Sequence, residues 1–156
     1  MKSNYKPVGG VESCTLYPAD AVETAIFSSR GCEMQLCGEG VEVPLLEDSS
    51  RYEEESRSRD GVVKVSHLLH LVADRKEAEE WLDNDLLERL AIEGAVAVVA
   101  LEDGRRLLAG YSPLLGNEQP LRLESLISTS GSNLHDRPTV TLRLVSHDIE
   151  FSSEIL

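Results

Sequence analysis

At 156 residues and 41% hydrophobic side chains, the chain suffices for one compact domain. Roughly two thirds of the unfolded surface is buried at that size, so no metal or disulfide is needed for stability. A net charge of -13 argues against nucleic acid and anionic membranes as direct ligands, because binding to either rests on Lys and Arg. Aromatic residues make up only 4%, which leaves the core to Leu, Val, Ile and Ala.

Residues 1–10, with Pro7, Gly9 and Gly10 as breakers, read as a flexible tail. A single domain is expected over residues 11–150. Short candidate strands come first: residues 11–17 up to Pro18, then Val22, Thr24 and Ile26, then Cys32, Met34 and Leu36, then Val41 and Val43 before Pro44. Apolar and polar residues alternate along them, the pattern of half-buried antiparallel strands.

Residues 47–60 change character, with Tyr52 the one large apolar side chain among charges of both signs. They read as a charged arm or loop. It is either a solvated loop or hairpin arm, or an arm that orders on meeting a partner. Arg51, Tyr52, Glu53, Glu54, Glu55, Arg57 and Arg59 are its candidate assembly residues, and removal of residues 50–59 is expected to leave folding intact.

Residues 62–73 are almost continuously apolar and rich in β-branched side chains, which favours a strand. Val63, Val65, His67, Leu69 and Leu71 share one face; Val62, Lys64, Ser66, Leu68, His70 and Val72 share the other. Asp74 then reads as the N-cap of one amphipathic helix, with Glu77 as its capping-box partner. Ala78, Leu82, Leu86 and Leu90 form the helix's apolar stripe, widened by Trp81, Leu87 and Ala91, and Gly94 ends it. Residues 95–101 are a strand. Asp103-Gly104 signals a type I′ hairpin flanked by Glu102 and Arg105, and the chain returns through residues 106–111. Further strands are expected through Leu121, Leu123, Ser125 and Ile127 and through Val140, Leu142 and Leu144, with a weak end after Asp148. The fold class is therefore α+β and β-rich: an antiparallel sandwich or barrel-like sheet with one main amphipathic helix packed on it.

The residues that carry chemistry are sparse. The odd spacing of His67 and His70 sends them to opposite faces of a strand, so they share no metal, and one is expected to be packed and the other at the surface. His135 and His147 have no ligand-spaced neighbours. Cys14, Cys32 and Cys37 lack a Cys-x-x-Cys pair and read as free, buried, reduced thiols. Neither a nucleophile elbow nor a phosphate-cradling glycine loop is present. The expectation is a protein that is not an enzyme and uses no cofactor or metal. No apolar run approaches the ~20 residues that span a bilayer, and a cytoplasmic location is expected.

From residue 61 to residue 148 the order of pieces resembles phage and prophage tail structural proteins, especially tail-tube-like ones. The pieces are VVKVSHLLHLVA, the helix after Asp74, the hairpin through Asp103-Gly104, LRLESLISTSGS and TVTLRLVSHD. The match covers little over half of the chain, extends equally to proteins of phage-derived gene clusters, and leaves the N-terminal part unmatched. The resemblance implies a β-sandwich or barrel core, a flanking helix and an extended arm, here RYEEESRSRDG. It also implies a structural protein that forms homo-oligomers, in the cytoplasm or assembled into a phage-like particle. A small intracellular protein-binding module is the alternative.

Overall fold

The chain runs through β1 (Val11–Pro18), β2 (Val22–Ser28), β3 (Gly31–Leu36), β4 (Val41–Val43), β5 (Arg51–Arg59), β6 (Val62–Asp74), α1 (Arg75–Trp81), α2 (Asn84–Ile92), β7 (Ala95–Leu101), β8 (Arg106–Ala109), β9 (Arg122–Thr129), β10 (Thr139–Asp148) and β11 (Ser153–Glu154). This computed structural model describes residues 10–47, 49–130 and 137–156. The expected tail up to Gly9, and His135, lie outside them.

The architecture is α+β and β-rich. A five-stranded sheet has the order β11-β8-β7-β1-β4, and a four-stranded sheet has the order β5-β6-β10-β9. Both are antiparallel, and neither closes into a barrel. One core joins them: Cys14, Leu16, Val99 and Leu107 from the first sheet, Tyr52, Leu69, Leu71, Leu142 and Leu144 from the second. The chain stitches the sheets together where Leu45 bridges Ala73 and Ala95 bridges Leu121. A separate β2–β3 hairpin packs on the other side of the five-stranded sheet. There Cys32, Val96 and Leu108 are buried and Phe27 stacks on Tyr111 at 6.1 Å. This is why β7 is apolar at every position: Ala97, Val99 and Leu101 face the main core, while Val96 faces the hairpin.

Five expectations need correction. Of the two readings of residues 47–60, the hairpin arm holds and the solvated loop does not, because Arg51–Arg59 is a full strand paired with β6 from Arg51↔His70 to Arg59↔Val62. Secondly, the single helix is two. Asp74 caps α1 by accepting from the amides of Lys76 and Glu77, but the helix stops at Leu82. Asp83 turns extended and caps α2 through the Leu86 amide at 2.7 Å. An Asp that satisfies free amides at a new helix start competes with continuing the old one. The stripe survives the break, with Ala78, Leu86 and Leu90 buried, and Gly94 closes α2 at φ +82 with its amide on Arg89 O. Thirdly, Asp103-Gly104 is not a type I′ turn, because Asp103 does not have positive φ. Gly104 bonds back to Leu101 O, and Arg105 pairs with Asp103 at 2.8 Å rather than with Glu102. Fourthly, Cys37 is exposed, whereas Cys14 and Cys32 are buried. Finally, the fold continues past residue 150: β11 joins β8, and the Leu156 amide bonds to Cys32 O.

Candidate functional site

The β5–β6 hairpin gathers the seven residues that the sequence singled out and divides them. Asp60-Gly61 is its two-residue turn, with φ of +53 and +79, which sets Arg59 opposite Val62 and hence Glu54 opposite His67. Strand alternation does the rest. Tyr52 and Glu54 point into the core, while Arg51, Glu53, Glu55, Arg57 and Arg59 lie on the outer face of the four-stranded sheet. Arg51 pairs with Glu53 at 3.0 Å, and Arg57 pairs with Glu55.

The inward pair belongs to a polar cluster that closes one end of the core. Glu54 is 0% exposed and His67 3%. Glu54 Oε2 accepts the Ser152 amide at 2.6 Å and lies 3.5 Å from His67 Nδ1. His67 Nε2 faces Glu150 O at 2.9 Å; a carbonyl only accepts, so Nε2 carries hydrogen. The Tyr52 hydroxyl sits 2.7 Å from His67 Nδ1 and 3.1 Å from Ser152 Oγ. It donates to the ring nitrogen when that nitrogen is bare, and to Ser152 when that nitrogen carries hydrogen. Burial, and then the nearby charge of Glu54, push the phenol well above its ordinary range, so it stays protonated. Glu54 Oε1 is buried without a hydrogen-bond partner among the described residues. The cluster can hold and relay a proton internally, but its burial keeps a reactant from the carboxylate.

His70, on the outer face, is half-buried. Its pKa is lowered by burial first and then by Arg51 and Arg143. The histidines thus occupy opposite faces, one packed and one at the surface. Among the described residues, no group of three or more His, Cys, Asp or Glu is arranged to hold a metal ion. No helix among them is long and apolar enough to cross a membrane.

The distal half of the hairpin differs from its base. Every residue from 57 to 64 is exposed, including Val62 at 55% and Val63 at 48%. Arg57, Arg59, Asp60, Val62, Lys64 and His147 are among the residues lining a shallow concavity of about 550 Å³ on the outer face.

The buried cluster was missed in the sequence although its signal was present. The Asp60-Gly61 turn fixes the register, and the register places Glu54 against His67. No protein-family model, curated protein or solved structure matches the chain.

Proposed function

We propose that this chain is a non-enzymatic structural subunit that assembles with copies of itself, as a phage-tail-like component would. The observation that carries the reading is the β5–β6 hairpin. Its base is locked into the core by Tyr52 and Glu54, and its tip projects with two valines uncovered. A rigidly mounted arm with exposed β-branched side chains suits contact with another protein. The outer face of β6 adds support. Leu68 and Val72 lie there half-buried beside Val145 of β10 and exposed Ile127 of β9, so β6 has the two-faced apolar pattern of a covered strand, and no element among the described residues covers that face. A buried polar cluster closed to reactants accords with a scaffold rather than a catalyst.

The test shortens the arm without touching its base. Deleting Ser58, Arg59, Val62 and Val63 removes two cross-strand pairs and keeps Asp60-Gly61 between Arg57 and Lys64. Mass photometry and sedimentation across concentration should find oligomers of the wild type and a folded monomer of the variant. Removal of residues 50–59 cannot serve, because it takes Tyr52 and Glu54 out of the core. A wild type that is monomeric at every concentration, or that binds one different protein in a saturable pair, would overturn the reading in favour of a binding module.

A further inference from the structure

The buried polar cluster grips one particular segment. After β10 the chain crosses from the four-stranded sheet to the five-stranded one, where β11 lies at the end of the sheet beside β8. Tyr52, Glu54 and His67 hold the crossing. His67 Nε2 donates to Glu150 O at 2.9 Å, the Ser152 amide donates to Glu54 Oε2 at 2.6 Å, and the Tyr52 hydroxyl lies 3.1 Å from Ser152 Oγ. Beyond the crossing, β11 pairs through Ser153↔Leu108 and Glu154↔Leu107. The Ile155 amide then bonds to Arg106 O and the Leu156 amide to Cys32 O. Each such backbone bond adds little net stability, so the cluster at the entry matters to the hold on residues 150–156.

Two of these contacts strengthen together when one proton is added. Nε2 of His67 carries hydrogen in either state, so Nδ1 is the variable position. When Nδ1 is bare, it takes the Tyr52 proton at 2.7 Å and Ser152 Oγ loses that donor. When Nδ1 is protonated, the Tyr52 hydroxyl turns to Ser152, and the ring faces Glu54 Oε2 at 3.5 Å as a cation. The bond from Nε2 to Glu150 O then becomes charge-assisted and roughly twice as strong. The titratable groups around the ring come from several elements: Tyr52 and Glu54 of β5, buried Asp148 on the inner face of β10, and Glu150 in the crossing. None of them supplies a positive charge. Burial opposes a charge on the ring, and the adjacent Glu54 carboxylate offsets that cost.

We infer that Tyr52, Glu54 and His67 form a proton-operated latch on residues 150–156, which tightens as His67 takes up a proton and loosens as it gives one up. Closed, the strap offers Glu150 O to Nε2 and Ser152 Oγ to the Tyr52 hydroxyl. Open, those groups face water. Closing is therefore coupled to proton uptake, and a fall in pH favours it. Loosening lifts β11 from β8 and takes Ile155 and Leu156 away from Cys32. The edge of β8 and one flank of the β2–β3 hairpin are then uncovered. The latch is independent of the self-assembly reading.

Amide hydrogen exchange of the full chain tests it. Imidazole side chains change charge between about pH 5 and 8, which sets the range to scan. Protection factors, corrected for the intrinsic pH dependence of exchange, should rise for the Ser152, Ile155 and Leu156 amides as the pH falls from 8 to 6. The limit for one linked proton is about tenfold per pH unit. Amides of β6 and β10 should not follow that rise. His67→Gln keeps a donor for Glu150 O but takes no charge, so its profile should be flat. Tyr52→Phe removes the donor to Ser152 and should make the profile shallower; it carries the comparison if His67→Gln does not fold. A flat wild-type profile would overturn the latch. So would a folded His67→Gln as pH-dependent as the wild type, a Tyr52→Phe as steep as the wild type, or strap amides that exchange only when those of β6 and β10 do.

Discussion

Replacing His67 with Leu should be among the most damaging single substitutions in this chain. Leu has a similar bulk, so the loss is of polar contacts rather than a cavity. Glu54 would remain 0% exposed and keep the Ser152 amide, but would lose its contact with the His67 ring, Oε1 already lacking a hydrogen-bond partner among the described residues. Removing one member of a buried polar cluster leaves each former partner unsatisfied at about 1–3 kcal/mol, and more for a charged one. Glu150 O also loses its donor, while Tyr52 can still donate to Ser152. For a domain of this size, 1 kcal/mol moves the melting temperature by about 2–4 °C, so the variant should melt about 10 °C below the wild type. Adding Glu54→Gln to His67→Leu should recover much of that loss, since the amide oxygen still accepts from Ser152 and the buried carboxyl group is gone. Differential scanning calorimetry of the wild type, His67→Leu and the double variant decides the matter. A single variant melting within about 2 °C of the wild type would refute the reasoning from buried polar contacts. A double variant no more stable than the single would refute it as well.

Leu86→Ala should cost about 2–4 kcal/mol in urea unfolding, as Leu86 is 7% exposed and anchors α2 on the core; an unchanged midpoint would mean that α2 packs through another face. Gly94→Ala and Gly61→Ala both ask for a side chain at positive φ, yet they should differ. At Gly94 the new Cβ would lie 2.7 Å from Pro120 Cγ and 2.8 Å from Leu121 O, so strain and overpacking together should cost about 3 kcal/mol. At Gly61 nothing lies within 4 Å, and about 1 kcal/mol is expected from backbone strain alone; equal losses in thermal melts would contradict this. Native alkylation read by mass spectrometry should label Cys37 and spare Cys14 and Cys32 until the protein unfolds. Cys14 is fully buried with its pKa raised to about 12 by desolvation, and burial followed by the charge of Glu33 raises that of Cys32.

Local pattern was enough where one segment's chemistry governs its structure. The continuous apolar run of β7, the alternation of β1 and β10, the Asp74 cap and the Gly94 stop are all written within a few residues. The mistakes arose where two local signals compete. Asp83 could decorate one long helix or start a second, and only the packing of Leu86 and Leu90 shows that the break costs the stripe nothing. Two Asp-Gly pairs offered the same turn. Asp60-Gly61 makes the two-residue type, whereas Asp103-Gly104 is drawn into a different turn in which Gly104 alone takes positive φ.

The sequence by itself determined the class of the fold, the faces of β6 and the absence of a recognisable reaction motif, because strand period and turn chemistry are local. The turn at Asp60-Gly61 sets Glu54 opposite His67, but the burial of Glu54 and its Ser152 partner were decided only in three dimensions. A charged run is normally solvated, and nothing within residues 51–59 distinguishes Glu54 from its neighbours. Pairing with β6 gives alternate residues opposite fates, and the far end of the chain brings the Ser152 amide to meet the carboxylate.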